Sequence, residues 1–164
     1  MDTLPTVTLS TPTDPEAMAS VRELFQEYAD SLGVNLDFQG FEAELATLPG
    51  DYAPPRGALL LACVDGAVAG CCALRPLDTS DYPNAAEMKR LYVRKAFRGF
   101  GLGQQLVEGT LDAARRAGYA CVLLDTLDEM ESARALYSTM GFEEIPPYYH
   151  NPLAGSHYLK VDID

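Results

Sequence analysis

The sequence predicts an α/β domain built on a mixed, α+β-like sheet, and two observations support this class. The first is a hairpin: apolar runs from Ala58 to Val64 and from Ala67 to Leu74 flank Asp65-Gly66, a dipeptide typical of tight turns between antiparallel strands. The second is an order of strand, helix, strand, helix and strand in the later part of the chain. The 164 residues show no repeat or long linker, so residues 1–164 are predicted to form a single domain.

The N-terminal third is predicted to contain one short strand and two helices. Val7 to Ser10 is the candidate strand. Asp14 followed by Pro15 is a helix start, because a capping residue precedes proline at the first helical position, and Gly33 can end that helix. Between them, apolar residues recur at helical spacing, at Met18, Val21, Leu24, Phe25, Tyr28 and Leu32. A second, shorter helix is predicted from about Gln39 to Leu48.

The later elements follow the same kind of signal. Glu87 to Val93 is predicted as a fourth strand and Leu102 to Ala117 as a helix that Gly118 ends. Tyr119 to Leu124 is apolar on both faces, as a buried strand would be. A helix from Glu131 to Met140 and a last strand from Ser156 to Ile163 complete the order.

The chain is acidic, with 24 Asp and Glu, 12 Lys and Arg, and a formal net charge of -12. This balance argues against nucleic acid, whose phosphates require Lys and Arg, and against docking on an anionic membrane. The charge is uneven, because no acid occurs between Met88 and Val107. Five of the twelve bases fall in this segment: Lys89, Arg90, Arg94, Lys95 and Arg98. The segment is a candidate anion site, whereas the acidic remainder favours a cationic acceptor.

The cysteines and the N-terminus bear on compartment and metal content. The first 15 residues lack the basic start and apolar core of a signal peptide, and no apolar run approaches the roughly 20 residues of a membrane span. The four cysteines lie in apolar runs without the Cys-x-x-Cys spacing of zinc sites. We therefore expect a cytoplasmic protein with no metal.

A glycine-rich turn, Arg98-Gly99-Phe100-Gly101-Leu102-Gly103-Gln104, lies between a predicted strand and a predicted helix. Glycines let the backbone approach a ligand, and the first N–H groups of a helix have no internal partner and carry partial positive charge. The turn therefore predicts a cradle for a phosphate or pyrophosphate. The turn lacks residues that the dinucleotide-binding fingerprint and the P-loop each require, so neither motif is present. The alternative is a tight turn whose glycines only allow close packing.

Two more blocks accompany this turn. Met88 to Arg94 precedes it, and Ala133 to Phe142, which contains Leu-Tyr-x-x-x-Gly-Phe, follows it. With the turn read as Arg-x-x-Gly-x-Gly, the three blocks resemble the GNAT superfamily of acetyl-CoA-dependent N-acetyltransferases in order and spacing. The resemblance implies the GNAT fold, a central mixed and twisted sheet flanked by about four helices, with acetyl-CoA as cosubstrate.

The resemblance also implies a binding site for acetyl-CoA. In the family, the backbone of the fourth strand pairs with the pantetheine arm, and N–H groups of the turn hold the pyrophosphate. The implied cofactor-binding residues are Leu91, Tyr92, Val93, Arg98, Gly99, Phe100, Gly101, Leu102, Gly103, Gln104 and Ala133. Met130 departs from the family, whose members often carry Asn there, so a side-chain amide contact with the pantetheine is not expected.

Two residues are implied to be catalytic. Tyr137 matches a tyrosine that protonates the leaving thiolate in many members, and the alternative is that it only packs and hydrogen-bonds. Glu87 stands where many members place a base that acts directly or through water, and the alternative is a charge paired with Lys89 or Arg90. By strand alternation, Glu87 shares a face with Lys89, Leu91 and Val93 unless a bulge intervenes.

The C-terminal segment carries no recognised motif. His150 and His157 are expected to be ordinary turn or strand residues, and Tyr148-Tyr149 is a candidate wall of the acceptor pocket. The expected function is transfer of an acetyl group from acetyl-CoA to a primary amine of a small molecule or peptide. Direct attack is expected, because no Cys or Ser lies in a nucleophile motif. The alternative is a non-catalytic acetyl-CoA sensor that regulates a partner protein, and a monomer or homodimer fits either function.

Overall fold

The computed structural model describes residues 5–33, 36, 39–128, 130–151 and 153–163, and over these ranges one seven-stranded sheet forms the centre of the fold. Its strands are β1 (Val7–Ser10), β2 (Ala58–Val64), β3 (Ala67–Leu77), β4 (Ala85–Val93), β5 (Cys121–Leu127), β6 (Glu143–Ile145) and β7 (Ser156–Asp162). They lie in the order β1-β2-β3-β4-β5-β7-β6. Only β4 and β5 pair in parallel, and the other neighbours are antiparallel, which confirms the predicted mixed sheet.

Four α-helices flank the sheet in the part of the chain that the structure describes: α1 (Pro15–Leu32), α2 (Phe41–Thr47), α3 (Leu102–Ala117) and α4 (Glu131–Thr139). The predicted signals set their ends. The Asp14 carboxylate accepts a hydrogen bond from the Ala17 N–H at 2.7 Å, with Pro15 in the first turn, and Gly33 ends α1 in the left-handed conformation. Gly118 ends α3 in the same way, at a φ of 89°.

The helices cover opposite faces of the sheet. Helices α1 and α2 bury one face around Phe25 and Tyr52, whereas α3 and α4 bury the other around Leu106 and Tyr137. The neighbouring cysteines show the alternation directly. Cys71 belongs to the first core and Cys72 to the second, and both are fully buried, as expected for adjacent residues of a strand.

Strands β4 and β5 separate after a short region of contact, and this separation positions the site. Their parallel pairing runs only from Ala85–Cys121 to Glu87–Leu123, although both strands continue beyond it. Arg90 has a φ of 62°, and the register between β3 and β4 shifts at this point. A bulge at Arg90 therefore bends β4 away from β5 and opens a gap in the sheet.

The same bulge corrects one prediction. Glu87 and Lys89 lie on one face, but Leu91 and Val93 pack with the α3–α4 core on the other. The extra residue of the bulge turns the side chains that follow it to the other face of the sheet. The expectation that all four residues share a face therefore holds only as far as the bulge at Arg90.

Strand β6 is absent from the predicted elements. It has three residues, Glu143 to Ile145, and its pattern is too short and too polar to predict a strand. Pairing with β7 creates it. Over the described ranges, none of the helices is both long and apolar enough to cross a bilayer.

Candidate active site

A cleft of about 670 Å³ lies beside the gap between β4 and β5. The end of β4, the glycine-rich turn, the start of α4 and the end of α1 form its walls. Ten of the eleven residues predicted to bind the cofactor line it: Leu91, Tyr92, Val93, Arg98, Gly99, Gly101, Leu102, Gly103, Gln104 and Ala133. The eleventh, Phe100, is 55% exposed and lies outside the lining.

The glycine-rich turn leaves backbone donors open at one end of the cleft. Gly99 and Gly101 have φ values of 92° and 77°, a conformation that other residues rarely adopt. Gly101 caps α3 without a side-chain hydrogen bond, so the N–H groups at the start of this 16-residue helix have no capping acceptor. Nothing lies within 4 Å of a Cβ placed on either glycine. The turn is therefore open to an anionic ligand.

The basic segment contributes less charge to this end than its composition predicts. Three of its five bases are ion-paired inside the fold: Lys89 with Glu87, Arg90 with Glu44, and Arg94 with Glu23 and Glu27. Of the five, Arg98 alone lines the cleft, and its Nε donates to the Val93 carbonyl at 2.9 Å. Apart from Glu87, these acids are distant in sequence and fold back onto the segment, so the backbone of the turn and Arg98 provide most of the attraction for an anion.

A smaller recess continues from the cleft into the gap. It shares Tyr28, Leu91 and Met130 with the cleft, and it is also lined by Lys89, Asp125 and Tyr137, among other residues. Its internal space is about 20 Å³, enough for one water-sized group. The recess therefore joins the predicted cofactor cleft to the polar residues behind β4.

Tyr137 is positioned by packing, and its hydroxyl group is available. Helix α4 buries the ring against Phe142, with 5.4 Å between ring centroids. Among the described residues, the Tyr137 hydroxyl has no hydrogen-bond partner, although the side chain lines the recess. Burial raises the pKa of Tyr137 well above its ordinary value, so the hydroxyl keeps its proton at neutral pH. The geometry suits a proton donor.

Glu87 lies behind β4 with both carboxylate oxygens engaged. Oε1 accepts hydrogen bonds from the Arg75 guanidinium at 2.7 Å, and Oε2 accepts one from the Tyr148 hydroxyl at 2.7 Å. Burial by itself would raise the pKa of Glu87, but the charges of Lys89 and Arg75 and these hydrogen bonds outweigh it and lower the pKa. Glu87 is therefore a buried carboxylate without an open oxygen.

A tyrosine pair follows β6 and covers the carboxylates from the C-terminal side. The rings of Tyr148 and Tyr149 pack at 5.4 Å. Tyr148 donates to Glu87, as described, and Tyr149 donates to Asp125 at 2.6 Å. Neither tyrosine lines the cleft or the recess, where a wall of the acceptor pocket was expected. The two side chains instead hold two carboxylates in place.

Several residues of the recess were not among the predicted site residues. Asp125 and Lys89 lie next to apolar positions of predicted strands, and Tyr28 occupies a core position of α1. Met130, at the start of α4, lines both the cleft and the recess, and its sulfur lies 3.7 Å from the Thr126 hydroxyl. It therefore presents a thioether to both spaces, at the position where the resemblance implied an Asn.

Solved structures of acetyltransferases share the fold of this protein. An acetyltransferase of the GNAT family from Staphylococcus aureus superposes with a TM-score of 0.79 at 19% identity, covering 97% of this chain and all of that one. The yncA structure from Salmonella typhimurium, solved with its cofactor acetyl-CoA, superposes with a TM-score of 0.66 at 20% identity, covering 96% of this chain and 94% of that one. The fold is that of the CoA-dependent acyltransferases.

Sequence comparison is more specific. The model of the acetyltransferase (GNAT) family matches residues 18–142, and the chain belongs to this family. An uncharacterized N-acetyltransferase of Schizosaccharomyces pombe is 38% identical over 150 residues, which cover 91% of this chain and 90% of that protein. The protein is an N-acetyltransferase, and the family assignment predicted from the three sequence blocks is confirmed.

Proposed function

We propose that the protein transfers an acetyl group from acetyl-CoA to a primary amine of a small molecule or peptide by direct attack. The observation that carries this proposal is a cleft with a recess beside it, which share Tyr28, Leu91 and Met130 in their walls. Open backbone donors of the glycine-rich turn lie at one end of the cleft, and Tyr137 lines the recess. An elongated carrier with an anionic end and a reactive end fits such a space.

The cofactor-binding roles follow from the lining. The N–H groups from Phe100 to Gln104, with Arg98, would hold the pyrophosphate, because they combine open donors with a helix N-terminus. The unpaired edge of β4 at Leu91, Tyr92 and Val93 would pair with the pantetheine arm as an added strand does. Ala133 is small and lines the opposite wall, which keeps the cleft wide there.

Tyr137 would protonate the departing CoA thiolate. A thiol has a pKa of about 8.5, so a donor beside the sulfur assists its release. The hydroxyl is protonated at neutral pH and has no competing partner among the described residues.

Glu87 would take up the proton of the acceptor amine indirectly. Both of its oxygens already accept hydrogen bonds, so the proton would arrive through the Tyr148 hydroxyl or solvent. The buried charge of Arg75 and Lys89 keeps the carboxylate ionised and ready to accept it.

Direct attack is favoured because no thiol is placed to act as a nucleophile. None of the cysteines lines the cleft or the recess in the described chain. Burial raises the pKa of Cys72 to about 12, so it is not a thiolate at neutral pH.

An amine panel tests the proposal. Purified protein with acetyl-CoA is incubated with small amines and peptides, and release of CoA thiol is followed against controls without acceptor. Acceptor-dependent release together with an N-acetylated product of the expected mass supports the proposal. Saturable binding of acetyl-CoA without turnover on any amine would overturn it and favour the sensor.

A further inference from the structure

Lys89 carries a buried charge that the fold leaves without a hydrogen bond. The residue is 7% exposed and lines the recess beside Tyr137. Its nearest acid is Glu87, whose Oε1 lies 3.9 Å from Nζ and already accepts from Arg75. Within the described chain, no other acid lies within 4.0 Å of the ammonium group, although the charge of Asp125 acts on it from farther away. A buried ammonium normally has a partner or gives up its proton, and burial does lower the pKa of Lys89.

Asp125 is the opposite charge in the same recess. Its Oδ2 accepts hydrogen bonds from Tyr149 at 2.6 Å and from Asn151 at 3.2 Å. Oδ1 has no partner among the residues that the structure describes. Lys89 and Asp125 do not form an ion pair within 4.0 Å, so the two charges line one recess separately.

The neighbouring charges are matched. Arg90 pairs with Glu44, and Arg75 pairs with Glu87. An acceptor that carried only an ammonium group would bring a second positive charge next to Lys89 in a site of low dielectric, which is unfavourable. An acceptor with a carboxylate beside its amine would instead bring one opposite charge to each of Lys89 and Asp125.

We propose that Lys89 and Asp125 select an acceptor whose reacting amine stands beside a carboxylate, as in a free amino acid. The carboxylate would bind the Lys89 ammonium, and the amine would approach Asp125 Oδ1. The recess admits only one water-sized group, so the charged head of the acceptor would lie at its opening, with the rest in the cleft. This inference rests on the proposed function and replaces the cationic acceptor that overall charge suggests.

Matched acceptors test the inference. We would measure kcat/KM for several free amino acids and for the same compounds as α-carboxamides, which lack the negative charge. We expect at least a tenfold preference for the free acids, expressed mainly in KM. In Lys89→Met the ratio should fall toward one, whereas Lys95→Met, an exposed lysine of the same segment, should keep the ratio of the wild type.

Binding measurements cover the case in which Lys89→Met does not fold. Calorimetry on the wild-type protein with CoA present should show tighter binding of N-acetyl amino acids than of their carboxamides. Equal kcat/KM for acids and carboxamides would overturn the inference and leave the acetyltransferase proposal standing. Acetylation of Lys89 itself by acetyl-CoA, detected by mass spectrometry, would also overturn it. No turnover on any amine would instead be a failure of the proposed function.

Discussion

The guanidinium of Arg90 binds both carboxylate oxygens of Glu44, with Nε to Oε2 at 2.9 Å and Nη2 to Oε1 at 3.0 Å. Arg90 is 3% exposed and has the positive φ that forms the bulge of β4. A side chain at positive φ is strained, so the fold must hold it in place. The pair ties α2 to the bulge that opens the gap between β4 and β5.

Glu44→Gln should therefore destabilise the protein. The change keeps the shape of the side chain but leaves a buried guanidinium without its carboxylate, which costs about 3 kcal/mol. Urea denaturation measures the loss. Glu42→Gln, an exposed residue of the same helix, is the control and should change stability by less than about 0.5 kcal/mol. Equal stability of the two variants would show that the pair does not hold the bulge.

Gly101→Glu should abolish acetyl-CoA binding. A Cβ at Gly101 meets nothing within 4 Å, so the effect comes from the positive φ and from a negative charge at the open donors. Gly118→Glu is a matched control, because that glycine has a similar φ and equal space at the other end of α3. Both should lose roughly 1 kcal/mol or more of stability to backbone strain. Only the first should lose acetyl-CoA affinity by calorimetry, and unchanged affinity would refute the cradle.

Tyr137→Phe should lower turnover by about 100-fold while acetyl-CoA affinity stays within about twofold, because in the proposed mechanism the hydroxyl donates a proton and does not bind the carrier. Steady-state kinetics and calorimetry separate the two effects. Tyr119→Phe is the control: its hydroxyl donates to the Arg56 carbonyl at 2.6 Å, away from the cleft. That variant should lose about 1 kcal/mol of stability and keep its turnover. Normal turnover in Tyr137→Phe would exclude the acid role.

Glu87→Gln tests a catalytic role against a structural one. Because the pKa of Glu87 is lowered in the folded state, its carboxylate stabilises the fold fully above the ordinary pKa of about 4.3. This stabilisation is lost as the pH falls through the lower pKa of the folded state. The variant should be less stable at neutral pH, and its stability should change less as the pH falls. If Glu87 accepts the amine proton, the deficit in turnover should shrink toward pH 10, where free amine is abundant. A deficit that is constant with pH, or absent, would argue for a structural role only. Glu143→Gln, an exposed residue of β6, is the control.

His157 should make stability depend on pH near neutrality. The hydrogen bonds that the His157 ring donates to Asp128 and to Glu144 raise the pKa of His157, and they join β7 to β6 and to the residue after β5. For a raised pKa, the stabilisation is complete below about pH 6.5 and is lost as pH rises through the value in the folded state. His157→Gln should flatten this dependence in thermal unfolding. His150→Gln, which changes an exposed histidine, should not. Identical pH profiles for wild type and His157→Gln would contradict the prediction.

Local signals predicted most of the fold. The capping pair Asp14-Pro15 and the turn Asp65-Gly66 act within a few residues, so they predict element ends without knowledge of the rest of the chain. The cradle follows the same logic, since Gly99 and Gly101 set the backbone that exposes its donors. Strand β6 could not be predicted, because β7 provides its pairing.

The arrangement of charges could not be read from the chain. Arg75 and Tyr148 bind Glu87 from 12 and 61 residues away, and Arg94 meets Glu27 across 67 residues. A segment that is positively charged in the sequence is therefore largely neutralised by ion pairs in the folded protein. At the bulge, where the face of Leu91 is reversed, the Arg90 side chain binds a partner 46 residues away.

The sequence by itself determined the family, the order of the elements and the glycine-rich turn, because hydrophobic periodicity, caps and turn residues act over short distances. Only the tertiary structure decided which charges are buried and which partners they meet. Burial and pairing depend on residues that folding brings together from distant segments, and these effects set the chemistry of Glu87, Lys89 and Tyr137.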